Sequence, residues 1–265
     1  MLNKNKYLAL SVVAVIASCS VYYVKQHSTD SMSIEMNGQA VSDAPDFAAI
    51  SDIPEKKHAF FSYLKPGIAL ENERVMKERK IIKRIKDNFE KNRVSEKDLD
   101  DAKHLARLYN VALTDNQVDD KWLAIMLHRV DVLPEALVLT QAANESAWGT
   151  SRFAREANNY FGQWCYTEGC GLVPRARAEG MTHEVAKFSS VQESIHRYFM
   201  NVNRNAAYYD LRKIRYDLRQ DQNNLLSVET AVELTNGLLK YSERGADYVA
   251  DLQTMIRHNQ KYWLN

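Results

Sequence analysis

From His58 to Asn92 the chain reads "HAFFSYLKPGIALENERVMKERKIIKRIKDNFEKN", a segment with a narrow apolar seam at helical spacing. Acids and bases are interspersed along it, among them Glu71, Glu73, Arg74, Lys77, Glu78, Arg79 and Lys80. That pattern predicts one long, mostly solvated helix rather than a strand or a basic partner-binding surface. A helix of that length limits what the rest of the chain can be. Only 9 Gly and 5 Pro in 265 residues leave too few turn formers for a loop-rich all-β fold. The chain is expected to be mainly α.

Further helices follow at similar spacing. Ser95-Glu96-Lys97-Asp98 resembles a capping box ahead of Leu99, Ala102, Leu105, Ala106 and Tyr109. "TDNQVDD" reads as a turn, and Trp122, Ile125, Met126 and Val130 mark a short helix. Pro134 opens the next, "EALVLTQAANE", which ends near Glu145. Ser190 with Glu193 caps "SSVQESIHRYFMNV", and Tyr248, Leu252, Met255 and Ile256 fit a last amphipathic helix. The exception is "LVPRARAEGMTHEVAKFSS", where alternation around a turn at Glu179-Gly180 predicts a small β-hairpin inserted among the helices.

The first residues have the order of an export signal. Lys4 and Lys6 precede an apolar run from Tyr7 to Ala17, too short for a comfortable membrane span. Ile16-Ala17-Ser18-Cys19 resembles a bacterial lipobox, so lipidation of Cys19 is expected; simple cleavage or an uncleaved anchor are the alternatives. Residues 1–18 are then a signal sequence and 19–54 a polar, disordered tether holding the protein to the periplasmic face of a membrane. In an oxidising compartment Cys165 and Cys170 are expected to close a small disulfide loop, since a zinc site would need more ligands. A net charge of +1 gives no reason to invoke nucleic acid. No phosphate-binding or dinucleotide fingerprint is present, and no metal or organic cofactor is implied.

One stretch carries chemistry: "QAANESAWGTSRFAREANNYFGQWC". Glu145 stands alone at the end of an apolar helix, where the negative pole of the helix dipole disfavours a charged carboxylate. Asn144 and Asn159 offer neutral hydrogen bonds to hydroxyl and acetamido groups, and the rings of Trp148, Tyr160 and Phe161 suit apolar sugar faces. A carboxyl that keeps its proton is what a general acid for a sugar leaving group requires. The plainer alternative makes Glu145 a local cap and the aromatics core.

"ANESAWGTSRFAREANNYFGQW" resembles the signature of the bacterial peptidoglycan β-N-acetylglucosaminidases of glycoside hydrolase family 73. "FFSYLKPGIALEN" and "KYSERGADYVADLQTMIRHN" extend the resemblance to the Bax-type branch, from about residue 55 to the end. The resemblance implies a lysozyme-like helical lobe with a small β-lobe, residues 55–118 forming a helical N-terminal region and 119–265 the glucosaminidase domain. It implies that Glu145 is the catalytic acid, that Tyr241 and Tyr248 serve substrate or water, and that peptidoglycan strands are the partner. A second acid is expected on the hairpin. Glu184 is favoured over Glu179, with assistance by the substrate acetamido group left open. A lytic transglycosylase or a non-catalytic glycan-binding module are the competing functions.

Overall fold

The computed structural model describes residues 41–263, apart from 42, 176, 178 and 179. The leader, Cys19 and Glu179 lie outside the described residues. The fold is mainly α with a small antiparallel sheet, as expected.

Helix α1 (Ile53–Glu90) is the spine. Asp52 caps it, and Phe60, Phe61, Leu64, Ile68, Val75, Ile82 and Ile85 form its buried seam. It packs against α2 (Glu96–Tyr109), α3 (Asp120–Arg129), α4 (Glu135–Ser146) and α6 (Val191–Arg204). The described residues accordingly cluster as one compact unit. Within the stretch expected as a tether, Val41 and Phe47 are buried, with Phe47 edge-on to Phe60 and Tyr63. Pro66 sits inside α1 beside Gly67, where α6 crosses. A Cβ on Gly67 would stand 2.4 Å from Val41 Cγ2, 2.6 Å from Gln192 Oε1 and 2.8 Å from Ile195 Cδ1, so a larger residue there would force these side chains to shift.

The solvated face expected for α1 is interrupted by two buried charges. Glu71 is enclosed, with Arg74 Nε at 2.8 Å and His196 Nδ1 at 3.1 Å from its Oε2. Arg79 donates to the carbonyls of Leu127 and Val130 at the end of α3. Interspersed charge could not reveal which members turn inward, because α6 and the α3 C-terminus supply their partners from far along the chain.

Helix α4 is buried on nearly every side, which is why its sequence reads as continuously apolar and small. It packs on α1, α8 (Val228–Thr235) and α9 (Ala246–Asn259). The short α5 (Arg152–Ala157) follows α4, and α7 (Tyr209–Gln220) packs on α3 and α8. The capping box of Ser95 and Asp98 forms as predicted. Ser190 caps α6 by accepting from the Glu193 amide, while the Glu193 carboxylate turns back to Ser189.

The sheet differs from the expected hairpin in its pairing. Strand β3 (Glu184–Ala186) lies between β1 (Trp164–Cys165) and β2 (Gly171–Leu172), all antiparallel. The β2–β3 pair spans the expected turn region, and β1, from the other side of the disulfide loop, adds a third strand that so short a segment does not announce by alternation.

Candidate active site

The last turn of α4 brings Glu145 to a cleft of about 760 Å³. Asn144, Phe161 and Gly162 lie beside it, β1 and Phe188 form one wall, and one face of α6 forms another. Tyr241, Ser242, Arg244 and Tyr248 close it from the C-terminal segment.

The two oxygens of Glu145 have different surroundings. Oε1 accepts from Tyr248 Oη at 2.9 Å and from Asn144 Nδ2 at 3.2 Å. Oε2 faces Gly162, whose φ is +61° and whose hypothetical Cβ would sit 3.5 Å from it. Tyr248 is oriented from behind. Gln141, fully buried, donates its Nε2 to Tyr248 Oη at 3.1 Å, and its Oε1 accepts the hydroxyl of Tyr198. With the Gln141 N–H on its oxygen, Tyr248 directs its proton at Glu145. Burial, then the nearby Glu145 charge, push the Tyr248 phenol far above its ordinary value, so it remains a donor. The same two causes raise Tyr241, which stacks on Tyr248 at 5.4 Å. Tyr198 stacks on Phe161 at 4.2 Å, fixing the ring beneath the cleft.

Of the residues read from the sequence, Glu145, Asn144, Phe161, Tyr241 and Tyr248 meet in this cleft. Four others do not line it. Trp148 turns away because Ala147, Trp148 and Gly149 all have positive φ after α4, and its indole packs edge-on to Phe60 and Phe61. Tyr160 is core, stacked on Phe60. Asn159 is a buried hub: its Nδ2 donates to the carbonyls of Gln163 and Ala186, and its Oδ1 accepts from the Phe161 and Gln163 amides. It ties the cleft floor to β3 without lining the cleft.

Glu184 is the fourth. Its carboxylate accepts from the Gly169 amide at 3.0 Å and the Gly171 amide at 2.8 Å, on either side of Cys170 and its disulfide to Cys165. Those two N–H groups, Gly169 first, hold it below the ordinary carboxylate range. It organises the loop instead of facing the cleft. The sulfurs of Cys165 and Cys170 lie with a Glu184 oxygen within 4.8 Å of one another, but the disulfide occupies both sulfurs.

Reading the sequence missed Gln141, Tyr198 and the arginines of the cleft. A glutamine amid "LVLTQAA" is itself a signal, since an amide enclosed in an apolar helix needs buried partners. The arginines carry no such mark.

Residues 121–261 match the family described as mannosyl-glycoprotein endo-beta-N-acetylglucosaminidase, named Glucosaminidase. The chain belongs to the glucosaminidase family. Among curated proteins, Protein bax of Escherichia coli (strain K12) is 32% identical over 227 residues, covering 85% of this chain and 77% of that protein. No solved structure matches. This glucosaminidase is thus a glycoside hydrolase of the Bax type, and the matched region contains every cleft residue named above.

Proposed function

We propose that the protein hydrolyses the β-1,4 bond between N-acetylglucosamine and N-acetylmuramic acid in peptidoglycan, with Glu145 as general acid. The observation that carries this reading is the asymmetry of the carboxyl. Two donors converge on Oε1, which leaves Oε2, beside Gly162 at the cleft floor, as the oxygen to bear and deliver the proton. Protonation of the glycosidic oxygen and cleavage at C1 follow.

A second carboxylate is not available from the described cleft lining, where Glu145 is the one acid. With Glu184 engaged by backbone amides, the acetamido oxygen of the substrate is the better candidate to stabilise C1. Glu145, ionised after giving up its proton, then activates water. A single acid also suits a lytic transglycosylase, in which the muramic acid hydroxyl replaces water. The β-lobe adds a sugar platform: Trp164 and Tyr166 are 55% and 72% exposed at the cleft edge.

The test is digestion of purified peptidoglycan by the wild type and by Glu145→Gln, with new ends identified by mass spectrometry. Reducing N-acetylglucosamine ends from the wild type alone support the proposal. Anhydromuramoyl ends would make the protein a transglycosylase, and cleavage by both proteins would remove Glu145 from the chemistry. We further propose an exported lipoprotein, based on the lipobox-like Ile16-Ala17-Ser18-Cys19. A mature N-terminus without lipid on Cys19 would refute it.

A further inference from the structure

Helix α4 ends one residue after Glu145, and the backbone that follows is strained. Ala147 and Trp148 have φ of +50° and +59°, and Gly149 has +76°. Left-handed residues other than glycine persist only where their surroundings hold them. Part of the hold is local. The Trp148 amide donates to the Ala143 carbonyl at 2.9 Å, and the Gly149 amide donates to Ser146 Oγ at 2.8 Å. The rest comes from α1 and from the chain before it, upstream of the residues 121–261 that match the family.

Phe47 is buried, and its ring fills the place where a side chain on Gly149 would lie. A Cβ there would stand 2.4 Å from Phe47 Cδ2 and 2.9 Å from its Cε2. The same ring meets Phe60 edge-on at 5.4 Å. Phe60 in turn touches both chain segments that shape the acid's surroundings. It is edge-on to Trp148 at 5.7 Å, just past Glu145, and stacked on Tyr160 at 6.1 Å, just before Phe161 and Gly162. Glu145 Oε2 and the glycine it faces are therefore carried by two segments resting on one ring, and Phe47 packs on that ring. Interiors packed this closely transmit displacement. The segment bearing Phe47 is itself tied down: the Val41 amide donates to Gln192 Oε1 at 3.4 Å, and Asp52 caps α1 by accepting from the Glu55 amide at 2.8 Å.

We infer that Phe47 is a positioning residue for Glu145: seated on Gly149 and against Phe60, it holds the left-handed turn that ends α4, so that turnover depends on the segment preceding α1. Phe47 does not line the cleft and acts only through that turn. The inference rests on the reading of Glu145 as the acid.

The experiment measures saturation kinetics on peptidoglycan for the full chain and for Phe47→Ala, Phe47→Leu and Leu105→Ala. Leu105 is buried in α2 and lies outside both the turn and the cleft lining, so its truncation is the control for lost core packing. Rates are taken at a temperature where melting curves show every variant folded. Phe47→Ala is expected to lower kcat about tenfold with KM within about twofold, because a small misplacement of the reacting group costs turnover before binding. Phe47→Leu refills part of the volume and should lose about threefold. Leu105→Ala should melt earlier and keep its kcat. A folded Phe47→Ala with wild-type kcat overturns the inference, and so does an equal loss of kcat in Leu105→Ala. Should Phe47→Ala fail to fold, wild-type kcat in Phe47→Leu overturns it. A second readout needs no turnover. With glutamate labelled by carbon-13 at the side-chain carboxyl, the Glu145 resonance is identified by its loss in Glu145→Gln. That resonance should move in Phe47→Ala and stay in place in Leu105→Ala. A moved resonance in a protein whose wild type cuts no peptidoglycan would sink the proposed activity and keep the positioning role. An unmoved resonance beside normal wild-type cleavage would sink the positioning role alone.

Discussion

Glu145 has inequivalent oxygens, and that inequivalence is produced by the donors gathered on one of them. Gln141 fixes the hydroxyl of Tyr248, and Tyr248 fixes Oε1. Tyr248→Phe should lower kcat roughly thirtyfold, the worth of about 2 kcal/mol for a hydrogen bond to a charged group, with KM little changed. A fall in KM-dependent binding alone would place Tyr248 with substrate instead. Gly162→Ala is expected to reduce kcat more than stability. Its positive φ costs the alanine about 1 kcal/mol, but the new methyl sits where the Oε2 proton must leave. Wild-type turnover with a lowered melting temperature would mean that only the backbone strain was felt. At this scale the meeting of Glu145 and Tyr248 in one cleft agrees with the stretches that the family resemblance picked out, and Glu145 does lie in the last turn of its helix. Trp148 was misplaced because three consecutive left-handed residues redirect the chain, a turn that residue identities around an "AWG" do not display.

Among the elements, the three-stranded sheet does the most with the least sequence. Two residues in β1 and two in β2 flank the three of β3, and the disulfide joins the outer strands at their loop. Changing Cys165 and Cys170 to Ser should cost about 2 kcal/mol by the entropy of a short loop, and should raise KM as Trp164 and Tyr166 lose their setting. Chemical melts and saturation kinetics measure both, and an unchanged KM would detach the loop from binding. Glu184→Gln separates scaffold from chemistry. The expected outcome is a lower melting temperature with kcat within a few fold of wild type, and a hundredfold loss of kcat in a normally stable protein would restore Glu184 as the second acid. The helices were legible from capping boxes and apolar spacing. The sheet's register was not, since its ladder pairs residues 13 to 21 positions apart whose identities carry no pairing signal.

Across the whole molecule, buried charge joins segments that the sequence keeps distant. Glu71 meets Arg74 and His196, and Asp131 meets Arg79, Arg215 and Arg219. Burial alone would raise both carboxyls, but hydrogen bonds and cations outweigh it and hold both below their ordinary values of 4.5 and 3.8. Carboxyls depressed in the folded state contribute stability that is complete above those values and is lost as pH falls through the lower folded ones. Urea midpoints should therefore hold steady near neutrality and drop as pH falls below about 4.5, with a shallower drop in Glu71→Gln. Parallel slopes for wild type and variant would show that Glu71 is not among the acids responsible.

The amino-acid sequence by itself determined the helical class, the helix caps, the disulfide pair and the placing of Glu145 at a helix end, because each depends on local spacing or on a compact motif. Which charges of α1 are buried, which aromatics line the cleft and which join the core, and what holds Tyr248 toward Glu145 were decided only by the tertiary structure. Those properties depend on partners more than fifty residues away, brought close when α1, α4, α6 and α9 pack together.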